Sequence, residues 1–257
     1  TADAPPPATA HALAGWSAAN PTTGDLTVIE THQLGHRAQV AAVPAAPACR
    51  AGYPQAAMLD PSGKKFGAGL ARLTCPHLCE AIDAWEAEDA VRALSRELLN
   101  TTEGRSALDR ANRRHAATRK ALLTRDAEAR ARARLGDANF EKAVGSGLAG
   151  ISQGRLGDLK CLHAQVADEL LSGDNALGKA ILRGLEARGV DVAGSPVCAE
   201  QCSGCAGGWS YTPKKNKQKL WRTKARYAKL RELSTQGYRT SLSPGGRSLD
   251  PGVRLPD

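Results

Sequence analysis

The sequence predicts an α+β fold, mainly α-helical, with a small β-hairpin near its N-terminal end. Three observations carry this. Ala and Leu dominate the 257 residues while aromatics make up only 4%, a balance that favours helix over sheet. From Thr74 onward, apolar residues recur at helical spacing. Before Thr74, short apolar runs alternate with Pro and Gly turns.

Residues 1–24 are rich in Ala, Pro and Thr and poor in charge, so they read as a disordered leader or linker. They lack the Arg enrichment of a transit peptide. Asp25 to Glu30 is either a strand or a helix start. Val40 to Val43 is a strand closed by Pro44 and Pro47. Cys49 to Pro54 reads as a turn, and Gln55 to Leu59 as a second strand. The turn Asp60 to Gly63 leads to Leu70–Leu73, the return strand of a hairpin.

Thr74 is the expected cap of a helix, with Pro76 in its first turn, where a missing N–H costs nothing. Leu78, Ile82, Trp85, Val91, Leu94 and Leu98 continue the helical spacing. Glu103 to Leu135 is a long, charged, Ala-rich helical stretch that stops at Gly136. Its thin stripe (Leu108, Ala111, Leu122) suggests an arm or hairpin that packs only partly. Gly145 to Gly157 holds five glycines and reads as a flexible loop; no Gly-Lys-Ser/Thr follows, so it is not a phosphate-binding loop. Leu159, Leu162, Val166 and Leu170 mark a helix ended by Gly173, and Leu177 to Leu185 a further one. Cys198 to Gly208 is a Cys/Gly knuckle. Lys214 to Leu233 is a basic helix, and 241–257 is rich in Pro, Gly and Ser. The expected organisation is thus a leader (1–24), an α+β domain (25–205) and a basic tail (206–257) that ends in a disordered segment.

The net charge of +9 sits entirely in that tail. From Ala206 onward 12 Lys/Arg face only Glu232, Asp250 and Asp257, and the remaining residues balance at 23 of each sign. A neutral body with a basic arm points to an anionic partner. No apolar run is long enough to span a membrane. Seven cysteines cannot all pair, and their close spacings read as ligands or redox thiols in a reducing compartment. An intracellular location, cytoplasmic or organellar, is therefore expected.

Cysteine and histidine fall in knots: Cys75, His77 and Cys79; Cys161 and His163; Cys198, Cys202 and Cys205. A structural zinc takes four such ligands. Cys75 and Cys79 share a helix face, and Cys202 and Cys205 have knuckle spacing, so the two pairs together would make an all-cysteine site. Cys198, Cys202 and Cys205 also have a spacing compatible with an iron–sulfur cluster, the alternative cofactor.

Several stretches together resemble a bacterial family of unassigned activity, domain of unknown function 501. They are Gln33–Arg37, Cys49–Pro54, Leu73–Pro76 with Trp85–Glu88 downstream, Lys160–His163 and Asn175–Gly178. The resemblance covers roughly residues 26–185, a usual span for one domain. It implies a small, soluble, cytoplasmic protein and no substrate. The positions that match its Cys/His pattern are Cys49, Cys75, Cys161 and His163, which form a second ligand combination. On a regular helix, residues two apart point away from each other, so Cys161 and His163 can share an ion only where the backbone is not yet helical. The alternative for His163 is a hydrogen-bonded core histidine. The ligand candidates are therefore Cys75, Cys79, Cys161, His163, Cys202 and Cys205, with Cys49, His77 and Cys198 as alternates.

Two further chemistries are legible. Cys75 at a helix N-terminus would have a stabilised thiolate, with His77 or His163 as base and Asp168 or Glu80 orienting it. In the tail, Lys214, Lys215, Lys217, Lys219, Arg222, Lys224, Arg226, Lys229 and Arg231 surround Trp221 and Tyr227. Cations neutralise phosphates and aromatics stack on unpaired bases. The leading expectation is a non-enzymatic, metal-stabilised protein that binds RNA or an RNA-containing assembly through its tail. The alternatives are a Cys75-dependent enzyme or redox protein, and a scaffolding protein without metal that engages a protein partner.

Overall fold

Short, small-residue strands build a four-stranded antiparallel sheet in the order β1-β2-β3-β4: β1 (Ala18–Ala19), β2 (Val40–Pro44), β3 (Ala56–Leu59) and β4 (Ala71–Leu73). The computed structural model describes residues 12–63, 66–148, 159, 161–195, 198, 200 and 202. All lie in the compact unit Thr1–Tyr211. The predicted hairpin is β3–β4, with Ala56 opposite Leu73 and Met58 opposite Ala71. β2 joins β3 with an irregular register between Val40 and Ala42.

Side chains alternate across a strand, and here both faces are covered. Ala42, Ala56 and Met58 enter the main core, whereas Val43 and Ala57 enter a second cluster with Ile29 and Leu34. That second cluster is supplied by α1 (Thr23–Thr27) and the π-helical turn Val28–Gln33 that follows it. Asp25–Glu30 is therefore helical. Thr22 and Asp25 cap α1 reciprocally: each side chain accepts from the other's backbone N–H.

Part of the expected leader is built into the fold. Residues 12–24 include β1 and the buried Trp16, whose Nε1–H donates to Thr118 Oγ1 at 2.9 Å. A buried aromatic with a polar partner and the pairing of β1 with β2 tie this stretch to the rest of the fold. Residues 1–11 lie outside the described residues.

Beyond the sheet come α2 (Pro76–Ala87), α3 (Ala90–Leu98), α4 (Thr102–Leu122), α5 (Arg125–Leu135), α6 (Asp137–Val144), α7 (Leu162–Ser172) and α8 (Ala176–Ala187). The helix expected from Thr74 is capped by Cys75 instead and breaks at Asp89, which takes left-handed backbone (φ 65°). The long stretch 103–135 is broken before Thr124, whose hydroxyl caps α5. It is no loose arm. Its stripe continues from Leu108 and Ala111 into the fully buried His115 and Arg119. Arg119 donates to the carbonyls of Val144, Ser146 and Gly147, at and just past the end of α6, where a cation is favoured.

α7 is the central helix. It packs on α8, on β2, β3 and β4, and on α2. Leu162, Val166, Ala167 and Leu171 fill the main core with Leu78 and Ile82 of α2 and Leu177, Ile181 and Leu185 of α8. The turn to α8 is Gly173 (φ 67°) followed by Asn175, which caps α8 through Gly178 N–H. No helix among the described residues is long and apolar enough to cross a membrane.

Candidate metal centre

The first turn of α7 meets the second half of α2, and this contact gathers one sulfur, one imidazole and two carboxylates. Cys161 is the N-cap of α7 and has extended backbone (φ −155°, ψ 115°), whereas His163 is already helical. Their side chains consequently converge: Cys161 Sγ lies 3.9 Å from His163 Nδ1. The condition under which these two residues can share an ion is met.

Glu86 of α2 completes the set. Its Oε1 lies 3.4 Å from His163 Nδ1 and accepts the N–H of Leu162 at 2.9 Å. That N–H is one of the unsatisfied donors at a helix start, so the carboxylate is held where the helix field favours negative charge. Among the described residues, Glu86, Cys161 and His163 form the one group whose three donor atoms all lie within 4.8 Å of one another. A tetrahedral zinc with sulfur, nitrogen and oxygen ligands needs donors about 3.4–3.6 Å apart. The other ring nitrogen, Nε2, faces Asp83 Oδ1 at 3.4 Å. A ligating histidine commonly donates its far N–H to a carboxylate, which fixes the tautomer and the ring plane.

The electrostatics agree with the geometry. Burial pushes the Cys161 thiol up, but the hydrogen bond from His163 and its positive charge outweigh this, and the thiol falls below its ordinary value. Burial likewise lowers His163, yet Cys161 and Glu86 raise it to about 10. Each group thus favours the charged form of the other. His163 is 8% exposed, and Cys161 and Glu86 are half-buried, so the group sits at the edge of the core with a path to solvent.

Asp83 and Glu86 were missing from the sequence-based ligand list. The signal that points to them is their helical spacing after Cys79, at steps of four and three. The expected orienting residues are placed elsewhere. Asp168 is fully buried and bonded to Arg114 (2.7 Å), His115 (2.8 Å) and Asn175 (2.8 Å). Glu80 is exposed.

The other candidates divide in two. Cys79 is buried and its thiol points to the carbonyl of Leu73 at 3.6 Å. His77 Nε2 lies 3.0 Å from the carbonyl of Asp191. Cys49, Cys75, Cys198 and Cys202 are buried and neighbour one another near the start of α2. Burial pushes the Cys75 thiol up to about 12, with the nearby Cys198 and Cys202 adding to it and backbone N–H groups of Leu78 and His77 partly offsetting it. Cys205, the tail residues from Lys214 to Arg231 and most of the glycine-rich loop lie outside the described residues.

A family model described as "Protein of unknown function (DUF501)" matches residues 45–183, more than half of the chain. The chain belongs to this family. All four residues of the α2–α7 group fall inside the DUF501 span, whereas Cys198, Cys202 and the basic tail fall outside it. Comparison with curated proteins and with solved structures gives no match.

Proposed function

We propose that this chain is an intracellular zinc-binding protein that carries its ion at the N-terminus of α7 and engages RNA or an RNA-containing assembly through residues 206–257. One observation supports the metal reading above all: Cys161 Sγ, His163 Nδ1 and Glu86 Oε1 lie within 4.8 Å of one another, with Asp83 on the far ring nitrogen. A thiolate, an imidazole and a carboxylate form a donor set that suits zinc. Three protein ligands leave one tetrahedral position for water. The RNA reading is supported by the sequence: nine cations interleaved with Trp221 and Tyr227 between Lys214 and Arg231.

Metal analysis of protein purified without chelator tests the first half. The expected result is an equivalent of zinc that His163→Ala removes while the circular dichroism spectrum is kept. Zinc content unchanged by His163→Ala overturns the assignment. For the second half, deletion of 206–257 should abolish a salt-sensitive affinity for single-stranded RNA. Undiminished, salt-insensitive binding after the deletion counts against the tail.

The alternative of a thiol-dependent enzyme gains a specific form. Cys161, beside His163 with Glu86 on the same ring nitrogen and Asp83 behind the ring, has the arrangement of an activated nucleophile. Cys75, raised by burial, does not. Chelator-treated protein should then alkylate first at Cys161; equal, slow labelling of all cysteines removes this reading.

A further inference from the structure

Beyond the group at α7, four other cysteines from distant parts of the chain are brought near one another. Cys49 lies in the loop after β2, Cys75 caps α2, and Cys198 and Cys202 follow α8. All four are buried, at 9%, 5%, 5% and 4% exposure, and none is in a disulfide.

Specific contacts hold the segment after α8 against the other two. Arg50 N–H donates to the carbonyl of Ala193 (2.8 Å), and the Arg50 guanidinium pairs with Asp191. Gln55 Nε2 donates to the carbonyl of Val192 (2.9 Å), and His77 of α2 reaches that of Asp191. Gly194 then lies beside two of the sulfurs: a Cβ there would lie 3.4 Å from Cys198 Sγ and 3.8 Å from Cys49 Sγ. Its φ of 98° also requires glycine. Cys198 and Cys202 are four residues apart, and each has helical backbone. Cys75 lies close enough to Cys198 and Cys202 for their charges to act on it, and Cys202 close enough to Cys49 and Cys198.

Donors are aimed at these sulfurs. Ser195 N–H reaches Cys198 Sγ at 3.2 Å and Ser195 Oγ lies 3.4 Å from it, while Gln33 Nε2 donates to Cys202 Sγ at 3.7 Å. N–H donors favour the thiolate over the thiol. Burial raises the Cys75 and Cys202 thiols, so a divalent cation bound here would take the place of their protons.

We propose that Cys49, Cys75, Cys198 and Cys202 form a second metal site, an all-thiolate structural zinc that fastens the C-terminal end of the domain onto the β2–β3 loop and α2. Four protein ligands close the tetrahedron, so this zinc holds the fold and leaves no position for a substrate. The sulfurs are spaced more widely than the donors at α7, and the ion would draw the Cys198–Cys202 turn inward. Two ligands come from the family span and two from beyond it. The basic segment beginning at Lys214 starts twelve residues after Cys202.

Native mass spectrometry of the full chain, wild type and variants, tests this. The wild type should carry two zinc ions. The double variant Cys198→Ser/Cys202→Ser should keep one, and His163→Ala should keep the other. If the double variant retains every zinc of the wild type, the second site is overturned. A single zinc lost only in His163→Ala leaves the α7 centre standing and removes this one; a single zinc lost only in the double variant does the reverse. Iron in place of zinc overturns the assignment. Cobalt substitution of the wild-type chain gives a readout independent of variant folding. Its sulfur-to-metal charge-transfer intensity should match five cobalt–sulfur bonds per two ions, four here and one at Cys161; intensity for a single such bond overturns the four-thiolate set.

Discussion

Cys161 and His163 face each other across 3.9 Å although a single residue separates them, because Cys161 is the last extended residue before α7 and His163 already belongs to the helix. A chain that entered the helix one turn earlier would set the two side chains on different faces. The capping position thus makes the pair, and α2 brings to it the carboxylates of the proposed zinc site.

Asp83 should tune that centre without being a ligand. Its carboxylate faces Nε2, the ring nitrogen turned away from Cys161. Asp83→Asn is expected to weaken zinc binding at α7 by about 10–100-fold with the stoichiometry intact at saturating zinc. Competition with a chromophoric chelator measures it.

Arg119 is expected to be a strong stability determinant. Its buried guanidinium is lowered by burial to about 10, still charged at neutral pH, and it serves three backbone carbonyls. Arg119→Met leaves those carbonyls buried without their donor, at a cost of about 3 kcal/mol or more. Urea unfolding of the two proteins compares them directly.

Gly178 marks the closest approach of α8 to α7. A Cβ there would stand 2.3 Å from the carbonyl oxygen of Gln165 and 2.6 Å from Glu169 Cβ. Backbone cannot swing aside as a side-chain end can, so Gly178→Ala should destabilise by about 1–3 kcal/mol through forced separation of the helices. A lowered thermal midpoint with native secondary structure at room temperature is the expected result.

His115 should make the fold acid-sensitive. Burial lowers its pKa from 6.5, and Arg119 and Arg114 on its own helix act in the same sense, against Asp168 of α7. Trp16 closes the site edge-on at 5.3 Å. The unfolded chain therefore takes up a proton where the folded chain does not. The His115 contribution to stability is level above about pH 6.5 and falls as the pH drops below it. In urea titrations at about pH 7.5 and about pH 5.5, the stability gap between wild type and His115→Gln should narrow at the lower pH.

Much of the fold was legible because it follows from local periodicity. The α+β class, the hairpin between Gln55 and Leu73, and helices α7 and α8 with Gly173 between them are all set by apolar spacing and turn residues. Trp16 was not legible as an anchor, since its partner Thr118 lies 102 residues away. Nor were the breaks at Asp89 and Thr124, where capping interrupts an unbroken helical pattern. At the site, Cys161 and His163 stood out by residue type. Asp83 and Glu86 did not, because acidic residues on a helix are ordinarily solvated.

The sequence by itself determined which residue types are present and which neighbours share a helix face, and so the fold class, the family span and the pool of thiols and imidazoles. Only the tertiary structure decided the groupings: Cys161 and His163 with Glu86, and Cys49 and Cys75 with Cys198 and Cys202. Spacing along the chain governs contacts within one helix turn, whereas ligands from different elements meet only when core packing brings α2, α7 and the segment after α8 together.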